Sequence, residues 1–89
     1  MAAKAGDLEA GFAHGDARAQ FNLGLMYLTG KGGPANDAEA LRWMLEAAKG
    51  GDAHARSNVA TMTLTGRGTP PDPQEAFRWY RLAAGQGYA

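Results

Sequence analysis

The chain has 89 residues, and its nine Lys and Arg are matched by nine Asp and Glu, so the formal net charge is zero. That length holds one small domain, and without cysteine neither a disulfide nor a cysteine-bearing zinc site can staple it, so stability has to come from helix packing or from a partner. Neutrality with scattered basic residues argues against a nucleic-acid binder, whose affinity rests on a basic face releasing counterions. No apolar run reaches the ~20 residues that span a bilayer, and no apolar stretch follows Met1 that would read as a signal peptide, so the sequence names no compartment.

Alanine makes up roughly a fifth of the chain and glycine thirteen positions, against four prolines. Alanine is the best helix former and glycine the commonest helix stop, so short helices joined by glycine turns are expected. An offset of 36 residues aligns the sequence with itself without a gap from Gly15 onward. Gly15-Asp16-Ala17 recurs as Gly51-Asp52-Ala53, Asn22 as Asn58, and Leu28-Thr29-Gly30 as Leu64-Thr65-Gly66. Arg42-Trp43 recurs as Arg78-Trp79 and Ala47-Ala48 as Ala83-Ala84. The expected division is a leader or partial repeat over 1–14, repeats over 15–50 and 51–86, and the start of a third register over 87–89.

In chain order, Asp7 to His14 reads as a short capping helix or an irregular segment, with Phe12 placed to plug the first repeat and Gly6 and Gly11 favouring the irregular form. The first helix is expected over Ala17 to Thr29, capped by Asp16 and stopped by Gly30. The second opens at Asn36 with Glu39 three residues on, a capping box, and runs to about Lys49. The third repeats the first over Ala53 to Thr65, between Asp52 and Gly66. The fourth opens at Asp72 with Pro73 at its first position and Glu75 three residues on, and runs to about Ala84.

On the second helix Glu39, Arg42, Glu46 and Lys49 form a charged stripe, and Ala40, Trp43, Met44 and Ala47 an apolar one, so it is expected as an outer helix with one buried side. The first helix, carrying Phe21, Leu23, Leu25, Met26, Tyr27 and Leu28, has little polar face and is either sandwiched or lines a groove. Such a pair must stack on a neighbour, which is the physics of a solenoid. The fold class is therefore all-α, an α/α solenoid of helix pairs.

Ala17, Ala19-Gln20, Asn22-Leu23-Gly24, Met26-Tyr27, Gly30 and Gly32-Gly33-Pro34 resemble the Sel-one-like repeat family, a relative of the tetratricopeptide repeat with a longer unit. The likeness continues through Asp37, Glu39-Ala40, Trp43, Ala47-Ala48 and Gly51. The second copy departs at Arg56, Ala60 and Thr63, where the first has Gln20, Gly24 and Tyr27. The resemblance implies a right-handed superhelix of antiparallel helix pairs whose first helices line a concave surface for protein or peptide ligands, in adaptors and scaffolds of signalling, quality control and bacterial virulence. Mapped here, the groove stripe would be Arg18, Phe21, Asn22, Leu25 and Thr29, followed by His54, Ser57, Asn58, Thr61 and Thr65. Periodicity puts each set on one face, with Gln20, Leu23, Gly24 and Tyr27 opposite, without saying which face is open.

Asn22 and Asn58 are polar amides in mid-helix, where they cost helix propensity. They either clamp an extended peptide backbone or tie one repeat to the next. Phe21 and Leu25 are either an apolar anchor for a ligand or core. Trp43 and Trp79, on the apolar face of the second helices, are expected in the core. The loop Gly30-Lys31-Gly32-Gly33-Pro34 lacks the spacing and the Ser or Thr of a P-loop and reads as a turn. His14 and His54 have no paired acid at ligand spacing, and Ser57 has neither a glycine elbow nor a nearby His, so neither a metal site, a cofactor site nor a nucleophile is expected.

The leading expectation is a non-enzymatic interaction module for a protein or peptide. Two alternatives stand beside it. One is a small-molecule binder or hydrolase of the penicillin-binding or β-lactamase kind linked to cysteine-rich relatives, whose cysteines this chain lacks. The other is end-to-end self-association through an uncapped face carrying Phe77, Trp79, Tyr80 and Leu82.

Overall fold

The computed structural model describes residues 16–86. The expectations for Asp7 to His14 with Phe12, and for 87–89, lie outside the described residues. Four helices follow one another with no strand among the described residues: α1 (Ala17–Thr29), α2 (Asp37–Lys49), α3 (Ala53–Thr65) and α4 (Pro73–Gly85). Each lies against the next in sequence, α1 on α2, α2 on α3 and α3 on α4, so the chain is two helix pairs stacked through the α2–α3 contact.

The helix ends are set locally. Asp16, Asn36, Asp52 and Asp72 each sit in extended backbone and accept a hydrogen bond from the amide three residues on. That satisfies one of the orphan donors of a first turn. Gly30 and Gly66 end α1 and α3 in the left-handed region, with φ of 77° and 80°, where a residue with Cβ is strained. The capping boxes expected at Asn36 and Asp72 close on one side only. The Asn36 amide donates to the Tyr27 carbonyl and the Asp72 amide to the Thr63 carbonyl, each at 2.8 Å. Glu39 and Glu75 turn instead to Arg42 and Arg78, one helical turn on.

The core runs along α2 and across to α3. Ala40, Leu41, Trp43, Met44, Ala47 and Ala48 are buried on α2, and Ala55, Val59, Ala60 and Met62 on α3. Only Ala76 and Ala83 are buried on α4, and only Gln20 and Gly24 on α1. The expected apolar stripe of α2 is thus in the core, widened by Leu41 and Ala48 because α3 covers a second side of the helix. Fully burying a side chain the size of Met44 stabilises by about 1.5–3 kcal/mol.

Polar contacts also join the two pairs. The Arg67 guanidinium, in the loop before α4, reaches Asp37 at the start of α2, with Nη2 to Oδ1 at 2.8 Å. The hydrogen bond to Asp37, helped by its charge, holds the Arg67 proton more tightly than usual. Arg56 on α3 donates to the Ala48 carbonyl at the end of α2 (3.0 Å) and to the Gln86 side chain beyond α4 (2.8 Å). Gln86 in turn donates to the Gly51 carbonyl. Arg56, one of the departures from the repeat pattern, therefore ties three chain segments together.

Candidate functional site

Stacked this way, α1 and α3 stand as neighbouring first helices of the two pairs, and their stripes meet. On α1 the side chains of Arg18, Asn22 and Thr29 are exposed, with Phe21 and Leu25 half-buried beside them. On α3 His54, Thr61 and Thr65 are exposed, with Ser57 and Asn58 half-buried. On the other side of α1 Gln20 and Gly24 are buried and Leu23 and Tyr27 half-buried. The link between the two stripes is the ring of Phe21, whose centroid lies 6.0 Å from that of His54 at a tilt of 38°.

The polar groups of this face differ in what they offer. Thr29, Thr61 and Thr65 donate their hydroxyls back to the carbonyls four residues earlier, Leu25, Ser57 and Thr61. Such back-bonding uses the donor inside the helix, so Thr29 and Thr65 present a methyl group and an acceptor, while the Thr61 oxygen also meets the Tyr80 hydroxyl. Among the described residues, no hydrogen bond reaches the side-chain amide of Asn22 or Asn58, so each keeps both a donor and an acceptor. The tie between repeats that was one reading of these asparagines is carried instead by Arg56 and Arg67. Apart from Arg18, no Lys, Arg, Asp or Glu stands among the stripe residues.

Three residues on or beside this face were not among the expected set. The Tyr80 hydroxyl comes across from α4 to within 2.8 Å of Thr61 Oγ1. Met26 (47% exposed) and Leu64 (45%) flank the stripe on opposite edges. Periodicity carried a signal for Met26 and Leu64, each an apolar residue one or two turns from a stripe position. Nothing in the α4 pattern marks Tyr80, since its contact spans 19 residues of chain.

The end-face expectation needs correcting at Trp79. Phe77 is 62% exposed, and Tyr80 and Leu82 are also open. Five residues turn a helix by about 140°, so Leu82 does not share the face of Phe77. Trp79 is half-buried against the core and points its Nε1 at Glu75. Phe77, Tyr80 and Leu82 thus remain open on α4, with Arg81 stacked 5.8 Å over the Phe77 ring.

Among the described residues no group of three His, Asp or Glu is placed to hold a metal ion, and no helix is long and apolar enough to cross a membrane. Comparison with known proteins places this architecture. The family model described as Sel1 repeat matches residues 17–52 and 53–88. A Sel1 repeat protein from Oxalobacter formigenes is similar, with 35% identity over 84% of this chain and 31% of its own, at a TM-score of 0.82. So is a protective antigen of uropathogenic Escherichia coli strains displaying an SLR fold, with 39% identity over 83% of this chain and 16% of its own, at 0.81. The chain thus spans under a third of the length of either structure. The search of curated proteins gives no match. With its two helix pairs and two matched repeats, the chain belongs to the Sel1 repeat family, whose members are generally protein–protein interaction modules.

Proposed function

We propose that the face shared by α1 and α3 binds an extended segment of a protein or peptide, and that the chain acts by presenting this surface rather than by catalysis. The observation that carries the reading is the pair of open amides, Asn22 and Asn58, at the same register on neighbouring helices. An extended peptide exposes backbone N–H and C=O groups without partners, and a side-chain amide matches both at once. Phe21 and Leu25, half-buried beside them, supply an apolar seat, and the Phe21–His54 contact makes the two stripes one surface. Arg18, exposed at one end, favours an acidic group of the ligand there.

The test is a peptide selected from a displayed library on the wild-type protein, then titrated against the double variant Asn22→Ala with Asn58→Ala. Affinity should fall about tenfold or more, because each lost hydrogen bond is worth about 0.5–1.5 kcal/mol. The melting temperature should stay nearly unchanged. A large loss of stability with unchanged affinity would make the asparagines structural and sink the proposal. Turnover of a chromogenic β-lactam above background would favour the hydrolase reading instead.

A further inference from the structure

The two helix pairs meet at the α2–α3 junction, and the internal repeat supplies a second version of each surface that forms it. Leu41 and Ala48 of α2 are buried there in one cluster with Ala55, Val59 and Met62 of α3. One repeat further on, α4 carries Phe77 and Ala84 at the places of Leu41 and Ala48, and both are exposed, Phe77 at 62%. One repeat earlier, α1 carries Ala19, Leu23 and Met26 at the places of Ala55, Val59 and Met62. Ala19 and Leu23 are half-buried and Met26 is 47% exposed, where Val59 and Met62 are in the core.

We propose that a second copy of this chain covers the open side of α4, laying its α1 there as α3 lies on α2. The internal junction identifies the occupant: a helix of the α1 and α3 kind covers the equivalent residues of α2, and each chain carries one whose matching side bears the open Met26. Neighbouring repeats of a solenoid are held by such nearest-neighbour surfaces. Because the contact joins unlike surfaces, copies add head to tail and the series does not close at two.

The loop after α1 suits the same placement. Gly68 lets its loop approach the start of α2, since a Cβ on it would run into the Asp37 carbonyl, and Gly32 leaves the same room on the first loop for the start of a neighbour's α4. The contact between copies is weaker than the internal junction. Lys31 and Pro73 hold the places of Arg67 and Asp37, so the 2.8 Å ion pair is not repeated, and Arg81 stands where α2 has Leu45. Association is therefore a high-concentration event. It rests on Leu23, Met26, Phe77 and Ala84 and not on the Asn22 and Asn58 amides, so it stands or falls separately from peptide binding.

Analytical ultracentrifugation of the intact chain from about 10 μM to about 1 mM, the range of weak interfaces, reads the association. The wild type should gain mass with concentration and pass beyond the dimer. Phe77→Lys and Met26→Lys, each at an exposed position and each checked for helix content by circular dichroism, should weaken association about tenfold or more, because a charge replaces an apolar side chain that the contact buries. Ala84→Lys stands in for Phe77→Lys should that variant fold poorly. The decisive arm mixes Phe77→Lys with Met26→Lys: one keeps the α1 side and the other the α4 side, so the mixture should form a dimer and nothing larger. A wild type that is monomeric throughout the range or stops at a dimer, a Met26→Lys chain that associates as the wild type does, mass unchanged by both Phe77→Lys and Ala84→Lys, or a mixture that stays monomeric would each overturn the proposal.

Discussion

Gly32 and Gly68 are the same residue of the repeat, with φ of 84° and 79°, yet they face different surroundings. A Cβ on Gly68 would lie 2.5 Å from the Asp37 carbonyl oxygen and 3.2 Å from Leu41 Cβ, whereas on Gly32 it would meet only the terminal methyl of Met26 at 3.3 Å. A methionine tip can swing away; the backbone at the start of α2 can move only by parting the repeats. Left-handed backbone alone costs an alanine about 1–2 kcal/mol, and overpacking adds about 1–3 kcal/mol. Chemical denaturation should therefore show Gly32→Ala losing about 1 kcal/mol and Gly68→Ala about 3 kcal/mol. In the sequence Gly32 reads as a turn residue and Gly68 stands 36 positions on from it, but the contact of Gly68 with α2 belongs to a junction that local pattern does not describe. The threonines of the candidate face teach the same lesson, since their hydroxyls are spent on their own helices and only the structure distinguishes them from the open asparagines.

At the scale of the element, the four helix starts were legible because an N-cap acts over three residues: Asp16, Asn36, Asp52 and Asp72 do in the structure what their positions imply. The reciprocal half of the capping box was not legible. It fails because the amides of Asn36 and Asp72 find the carbonyls of Tyr27 and Thr63 across the loop. Arg56 is the other surprise. It replaces Gln20 of the first repeat, and its guanidinium joins the end of α2 to Gln86. Hydrogen bonds to charged groups contribute about 1.5–3 kcal/mol, so Arg56→Ala should lower the unfolding free energy by about 2 kcal/mol. Arg56→Gln, which can still donate to the Ala48 carbonyl, should recover part of it. A urea titration of the two variants beside the wild type checks both values, and equal losses would show that the guanidinium adds nothing an amide lacks.

Across the whole molecule, α2 is packed between two described helices, as α3 is, whereas α4 is packed on one. Residues of α2 and those of α4 are register mates with opposite fates: Leu41 is buried and Phe77 open, Met44 is buried and Tyr80 open. Met44→Ala should cost about 2–5 kcal/mol, as buried large-to-small changes do. Phe77→Ala, which leaves no cavity, should stay within about 0.5 kcal/mol. Thermal unfolding followed by circular dichroism measures both, and similar losses would show that the burial of α2 does not set the difference.

The repeat, the helices and their caps were decided by the sequence alone, since each depends on residues a few positions apart or on a fixed offset. The division of the face into open amides and self-satisfied hydroxyls, the reach of Tyr80 to Thr61, the Arg56 and Arg67 ties and the open side of α4 were decided only by the tertiary structure. The physical reason is that burial and hydrogen bonding are properties of pairs. Two residues identical in local pattern, such as Gly32 and Gly68, or equivalent in register, such as Leu41 and Phe77, diverge when a neighbouring helix covers one and leaves the other in water.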